Sequence, residues 1–232
     1  MPIGTAGDRV GCAFGVGFGV PLLDGLLEGA GYVEFYGEWG CVRLLAHRYL
    51  AYNVGCRLIL TQEFGGISTY VLQSIARSLG RPPRVELRRA FSLEDTVEAI
   101  LQTAAEDNYS PVAVMDPYLY APTDWRKYSV LSRVVGALRR LARTRPVVVF
   151  NRPSKFAASL PEGGQFNRSS VNALYMVSRC RKRVGLHVEV KKHPAQPPRW
   201  VCVPYTEIYG YSGVGYDAWA RWGGQRLLLE WL

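Results

Sequence analysis

Short apolar runs alternate with amphipathic stretches through the first two thirds of the chain, the pattern of a mostly parallel sheet with crossover helices. Val33 to Tyr36, Arg57 to Thr61, Arg84 to Leu87, Val112 to Met115 and Pro146 to Phe150 predict strands. Arg43 to Tyr52, Thr69 to Leu79, Ser92 to Glu106 and Tyr128 to Arg143 predict the helices between them. Ser92 followed by Asp95 forms a capping box with Asp in place of Glu and marks a helix start. In Tyr128 to Arg143, the residues Leu131, Val134, Val135, Leu138, Leu141 and Ala142 recur at helical spacing, which leaves Arg133, Arg140 and Arg143 off the core stripe.

After residue 150 the pattern changes. A Gly-, Pro- and Ser-containing loop is expected over Asn151 to Ser170, followed by antiparallel strands at Ala173 to Val177, Val184 to Val190 and Trp200 to Val203. Basic turns at Arg179 to Arg183 and Lys191 to Arg199 join them. The last stretch, Tyr205 to Leu232, carries Trp219, Trp222, Trp231 and Leu227 to Leu229, and is expected to pack. No internal repeat or linker interrupts the chain, so a single α/β domain over residues 1–232 is expected.

Composition narrows the classes. With 48% hydrophobic and 20% charged residues in 232, the chain is globular, which excludes disorder, collagen and coiled coil. The longest apolar runs are too short for a transmembrane helix. Val10 to Leu23 is loaded with glycines and runs into Asp24, the character of mature protein rather than a signal peptide. The five cysteines (Cys12, Cys41, Cys56, Cys180, Cys202) include no C-x-x-C pair, which argues against zinc and against a secreted disulfide framework. A reducing cytoplasm fits, with a single intracellular disulfide left open.

The net charge of +9 is unevenly placed. Residues 126–200 hold 17 Lys and Arg against two Glu, a net of +15, and the remainder nets −6. One half is built to meet an anion, with nucleic acid the first partner to test, or else it presents solvated arginine faces on ordinary helices.

The segment Val33-Glu34-Phe35-Tyr36-Gly37-Glu38-Trp39-Gly40-Cys41-Val42-Arg43-Leu44 has the strand, glycine turn and helix layout of a phosphate loop. Gly37 matches G-x-x-x-x-G-K-[ST], but Val42 replaces the second glycine, Arg43 the lysine and Leu44 the metal-binding hydroxyl. Space for the phosphates, cation geometry and metal ligand are all altered at once.

This run, preceded by Gly19-Val-Pro-Leu-Leu-Asp24-Gly-Leu-Leu27, resembles the opening of the ATPase core of the RecA/RadA recombinase superfamily, in particular archaeal RadA and its short RadB-like paralogs. Further stations follow in order. Leu58 to Gly66 is similar to the strand ending that supplies the family's catalytic glutamate, a role that falls on Glu63 or is lost as Gln62. Val112 to Asp116 resembles the Walker B strand, whose aspartate supports Mg²⁺, and Pro146 to Arg152 the V-V-x-T-N-Q strand ending with Arg152 for glutamine. Gly163-Gly164 and Lys192-His193-Pro194 resemble the end of the second DNA loop and the closing hairpins. The resemblance spans roughly residues 15–210 and implies a RecA-like core: a mostly parallel twisted sheet flanked by helices, with antiparallel C-terminal strands and no N-terminal helical domain.

The resemblance also places two DNA-contacting loops. The first holds Tyr120, Trp125, Arg126 and Lys127, the second Arg152, Lys155, Phe156, Phe166 and Arg168, mixing aromatic faces with cations as single-strand binding requires. A tyrosine-rich loop packed on its own domain is the alternative. The expected function is a RecA-like paralog without ATPase activity, needing no cofactor or metal, that binds DNA, single-stranded favoured, and assists a RadA-type recombinase in recombination or repair. Gly37, Gly40, Val42, Arg43, Leu44, Glu63 and Asp116 are then its vestigial nucleotide site. An ATPase with a non-consensus loop and a scaffold without DNA affinity stay open beside it.

Other motifs carry less. Gly15-Val-Gly17-Phe-Gly19 is not a dinucleotide fingerprint, and no helix is expected directly after it. His47, His187 and His193 are too separated to form a cluster and are expected to be structural, and Cys41 to be inert.

Overall fold

The computed structural model describes residues 16–62, 66–106, 110–124, 129–180 and 184–210. Eight strands form one sheet: β1 (Tyr32–Gly37), β2 (Cys56–Thr61), β3 (Val85–Ala90), β4 (Val112–Met115), β5 (Val147–Asn151), β6 (Ala173–Arg179), β7 (Gly185–Lys192) and β8 (Trp200–Pro204). Their order is β3-β2-β4-β5-β1-β6-β7-β8. Strands β1 to β6 pair in parallel, and β7 and β8 are added antiparallel. The helices are α1 (Pro21–Leu27), α2 (Trp39–Tyr52), α3 (Thr69–Ser78), α4 (Leu93–Ala105), α5 (Leu131–Ala142), α6 (Gly164–Ser170) and α7 (Tyr205–Tyr209).

The central strands β1, β2, β4 and β5 are buried throughout, as strands covered by helices on both faces must be. Alternation along β1 sends Val33 and Phe35 to the core shared with α1, α2, α3 and α7, and Tyr32 and Tyr36 to the core shared with α4 and α5. Phe35 stacks on Tyr175 at 4.9 Å and on Phe150 at 6.0 Å between ring centres. Ser92 caps α4 as expected: its Oγ accepts from the Asp95 amide (3.0 Å), and Asp95 Oδ2 accepts from the Phe91 amide (3.2 Å). On α5 the stripe of Leu131, Val134, Val135, Leu138 and Leu141 is buried, and Arg133, Arg140 and Arg143 are exposed.

Three expectations need correction, and the single disulfide that the sequence left open is present. Helix α2 begins at Trp39 rather than Arg43, so the glycine turn shrinks to one residue, Glu38. The expected loop over Asn151 to Ser170 ends in a helix, α6, because Gly163 supplies a left-handed N-cap (φ +91) that turns the chain before Gly164. A helix does follow the Gly15 to Gly19 run: α1 starts on Pro21, whose missing N–H costs nothing in a first turn. Cys180 and Cys202 are joined in a disulfide that ties the end of β6 to β8 across β7, while Cys41 and Cys56 are buried and unpaired. Of the last stretch, Tyr205 and Ile208 are buried, and residues 211–232, with the three tryptophans, lie outside the described residues. Among the described residues no helix is long and apolar enough to cross a membrane.

Candidate functional site

Parallel pairing brings the C-terminal ends of β1, β2, β4 and β5 to one edge of the sheet, where α/β folds of this kind place their ligands. Gly37, Gln62, Asp116 and Asn151-Arg152 therefore lie together although they are far apart in sequence.

The β1–α2 junction is tight. The Glu38 amide donates to the Val177 carbonyl (2.9 Å), continuing the ladder to β6. The Cys41 and Val42 amides donate back to the Glu38 carbonyl (2.9 and 3.0 Å), the first bonds of the helix. Of the amides that a phosphate loop would aim at a ligand, those of Glu38, Cys41 and Val42 are thus engaged within the fold. Gly37 has φ +136, and a Cβ there would lie 2.1 Å from the Val177 carbonyl oxygen, so this glycine serves the β1–β6 contact. A Cβ on Gly40 would meet nothing within 4 Å. Val42 and Leu44 are fully buried in the core. Glu38 is held by Arg179, whose Nε lies 2.6 Å from Oε1 and whose amide donates to Oε2 (3.2 Å).

Arg43 projects from α2 toward the segment entering α3, and its Nε donates to the Gly66 carbonyl (3.0 Å). One turn on, buried His47 bridges the same junction: Nε2 accepts from the Ser68 amide (2.8 Å), which leaves Nδ1 to donate to the Arg43 carbonyl (2.6 Å). Burial first, and then the charge of Arg43, hold His47 down at about 4. Burial and then the positive charge of Arg152 lower Arg43. Cys41 is pushed up to about 12, chiefly by burial, with Glu38 adding to it, which disfavours the thiolate.

Asp116 follows β4 in a left-handed backbone conformation (φ +56), a geometry uncommon for residues other than glycine but open to aspartate. Its side chain is 1% exposed. Oδ2 accepts from Arg152 Nε at 2.6 Å and more distantly from Gln62 Nε2 at 3.4 Å, and Oδ1 is buried with no hydrogen-bond partner. Burial raises the Asp116 carboxyl above its ordinary range, and the Arg152 charge and hydrogen bond oppose this. The Arg152 guanidinium also lies over the Trp39 ring, 4.3 Å from its centre. Arg152, expected among the DNA-facing residues, thus has its charge committed to the aspartate that the resemblance assigns to Mg²⁺. Gln62 stands beside Asp116, and Glu63 lies outside the described residues.

These residues do not fit a magnesium nucleotide. The junction offers no open loop of amides, the hydroxyl position is a core leucine, and a guanidinium already neutralises the carboxylate. Among the described residues no group of three or more His, Cys, Asp or Glu side chains is placed to hold a metal.

The loop after β5 is ordered by a residue that sequence reasoning passed over. Glu34 in β1 is completely buried, and its carboxyl accepts from Asn151 Nδ2 (2.6 Å) and from Asn167 Nδ2 (2.8 and 2.7 Å). Both amides also donate to the Glu162 carbonyl (2.9 and 3.2 Å). Burial raises Glu34 to about 8 against the pull of the two asparagines. Glu162 Oε2 accepts from the Lys155 amide (2.8 Å), and the Ser154 amide donates to the Leu160 carbonyl (2.8 Å). Tyr36 reaches across to the Ser159 carbonyl (2.7 Å). The only sequence signal was a lone carboxylate inside an apolar strand.

This scaffold presents Lys155 and Phe156 exposed, Phe156 by 53%. Lys155 Nζ leans on the Ala121 carbonyl (3.4 Å), which brings the loop beside Tyr120, itself 37% exposed. Phe166 and Arg168 are exposed on α6, on either side of the clamped Asn167. Trp125, Arg126 and Lys127 lie outside the described residues. His187 packs against Trp200, and His193 Nδ1 accepts from the Ala195 amide, so neither belongs to this edge.

No family model matches the sequence, and no curated protein matches it. Among solved structures, the crystal structure of the RadB recombinase superposes with a TM-score of 0.64 at 19% identity, covering 81% of this chain and 96% of that one. At that identity the likeness carries the fold and nothing finer. The parallel sheet flanked by helices, extended by two antiparallel strands, is the RecA-like α/β fold.

Proposed function

We propose that this chain is a RecA-fold paralog that no longer hydrolyses nucleotide and that binds DNA, single strands in preference, in the service of recombination or repair. The observation that carries the reading is the Arg152–Asp116 pair: a side-chain cation engages the buried aspartate to which the resemblance assigns metal support. The contracted β1–α2 junction supports it. Lys155, Phe156 and Tyr120 on the same edge supply a charge and two aromatic faces, the means of sequence-tolerant single-strand binding. Phe166 and Arg168 extend that surface along α6, and a RadA-type recombinase is the partner in this reading.

Two measurements test it. Isothermal titration with magnesium and ATP should give no binding heat, and micromolar binding with turnover would remove the non-catalytic half. Replacing Lys155 and Phe156 together by alanine should weaken binding to a labelled single strand by roughly tenfold, the scale of one lost base stack. Unchanged affinity would move the DNA site elsewhere. Lys155 and Phe156 are better probes than Arg152, whose removal also strips Asp116 of its partner.

A further inference from the structure

Helix α5 carries a second cationic surface that the loop reading does not use. Its solvent face is Ser132, Arg133, Gly136, Arg139, Arg140 and Arg143, all exposed. Helical spacing arranges four of these around Gly136: Ser132 and Arg133 one turn before it, Arg139 and Arg140 one turn after, with Arg143 a turn further on. Arg133 approaches Glu94 at 3.9 Å, and among the described residues no salt bridge engages Arg139, Arg140 or Arg143. Most other cations of the basic half in the described residues are spent inside the fold. Arg145 donates to the Glu106 carbonyl, Arg152 pairs with Asp116, Arg179 with Glu38, Lys191 with Glu189, and Lys192 holds three carbonyls at the end of α6. Among the described residues of the basic half, Arg139, Arg140 and Arg143 of α5 are the cluster that no salt bridge uses.

Gly136 supplies an independent observation. A glycine inside a helix is destabilising relative to alanine. Here a Cβ would meet nothing within 4 Å among the described residues, and Gly136 has no positive φ, so neither packing against them nor backbone geometry requires it. What its missing side chain provides is close approach to the helix backbone at the centre of the arginine cluster.

We propose that the α5 face is a binding site for the sugar-phosphate backbone of duplex DNA, seated across Gly136 and held by Arg139, Arg140 and Arg143. Among the described residues the face has no aromatic side chain on which unpaired bases could stack, which distinguishes it from the Lys155–Phe156 loop and favours a duplex over a single strand. It has no exposed apolar side chain to enter a bilayer, since the apolar side of α5 is committed to the sheet, which disfavours an anionic membrane. Helix α5 packs beside α6, so the two surfaces are told apart by their own variants.

The test is fluorescence anisotropy of the full chain with a labelled mixed-sequence duplex of about two helical turns, titrated between about 50 and 200 mM salt. Replacing Arg139, Arg140 and Arg143 by glutamine should flatten the log–log salt slope by about 2.7, the loss of three phosphate contacts. The same three positions changed to lysine should keep the slope, which shows that charge rather than folding is being read. Gly136→Leu should raise the melting temperature through helix propensity and yet weaken duplex binding at least tenfold by holding the backbone away. The proposal is overturned by an unchanged slope in the glutamine variant, by no duplex binding of the unaltered chain, by Gly136→Leu binding normally, or by phosphatidylserine vesicles being bound through these arginines while duplex is ignored. Single-strand binding by the Lys155/Phe156 variant reports the loop reading alone, and either result there leaves the α5 outcome readable.

Discussion

The β1–α2 junction and the loop after β5 lie at the same edge of the same sheet, and they treat charge in opposite ways. At the junction every charged group faces another part of the chain: Glu38 holds Arg179, and Arg43 holds the Gly66 carbonyl. The loop contributes Arg152 to that closed arrangement and then, three residues later, turns Lys155 and Phe156 outward. One edge of the sheet can therefore close one junction with its own side chains and still keep an exposed, cationic and aromatic loop. What keeps that loop in place is a buried Glu34 with two asparagines, a network that uses no nucleotide.

The hardest test of the comparison is to reopen the junction. Changing Val42, Arg43 and Leu44 together to Gly, Lys and Thr restores the consensus letters but removes two fully buried side chains from the core and adds a helix-interior glycine. We expect a loss of about 5 kcal/mol in urea unfolding and no recovery of nucleotide binding, because the helix still starts at Trp39. Recovered ATP binding at undiminished stability would show that the junction is open in solution.

Next in size is Arg152→Ala, which strands a buried carboxylate. We expect a loss of about 2 kcal/mol at neutral pH, below the full cost of breaking a buried pair because the Arg152 side chain is 39% exposed. Adding Asp116→Asn should restore most of it. An Arg152→Ala variant as stable as the parent would mean the pair contributes nothing.

The loop's clamp predicts a pH dependence. Glu34 has a folded-state pKa raised to about 8 from 4.5, so the folded chain holds a proton that the unfolded chain has released, and stability falls as pH rises through that window. His47, lowered to about 4 from 6.5, acts in the opposite sense: its contribution is complete above 6.5 and is lost as pH falls toward 4. The two oppose each other between about pH 4.5 and 6.5, and Glu34 alone acts from there to about 8. Chemical denaturation across pH should show a decline above pH 6.5 of at most roughly 1.4 kcal/mol per unit. Glu34→Gln should remove that decline and leave the His47 branch, and a slope that survives the substitution would refute the assignment.

The smallest effect is Trp39→Ala, expected to cost about 1 kcal/mol by removing the ring beneath Arg152. A double-mutant cycle with Arg152→Ala should recover that coupling, and strict additivity would mean the stacking is incidental.

What the sequence by itself determined follows from local physics. Continuous apolar runs specified the buried strands, the stripe from Leu131 to Leu141 specified the buried side of α5, and Ser92 specified the start of α4, because burial and capping are written in neighbouring residues. The replacement of the phosphate-loop letters at Val42, Arg43 and Leu44 was equally plain. Two glycines around Glu38 and Trp39 read locally as a turn, and only the β6 ladder and the largely buried α2 made that stretch helical from Trp39. The Arg152–Asp116 pair joins residues 36 apart, Glu34 meets Asn151 and Asn167 across 117 and 133 residues, and Cys180 finds Cys202 across β7. Such meetings were left to tertiary structure because strand order alone sets them, and strand order arises from how the helices cover the two faces of the sheet, information that no short window of sequence contains.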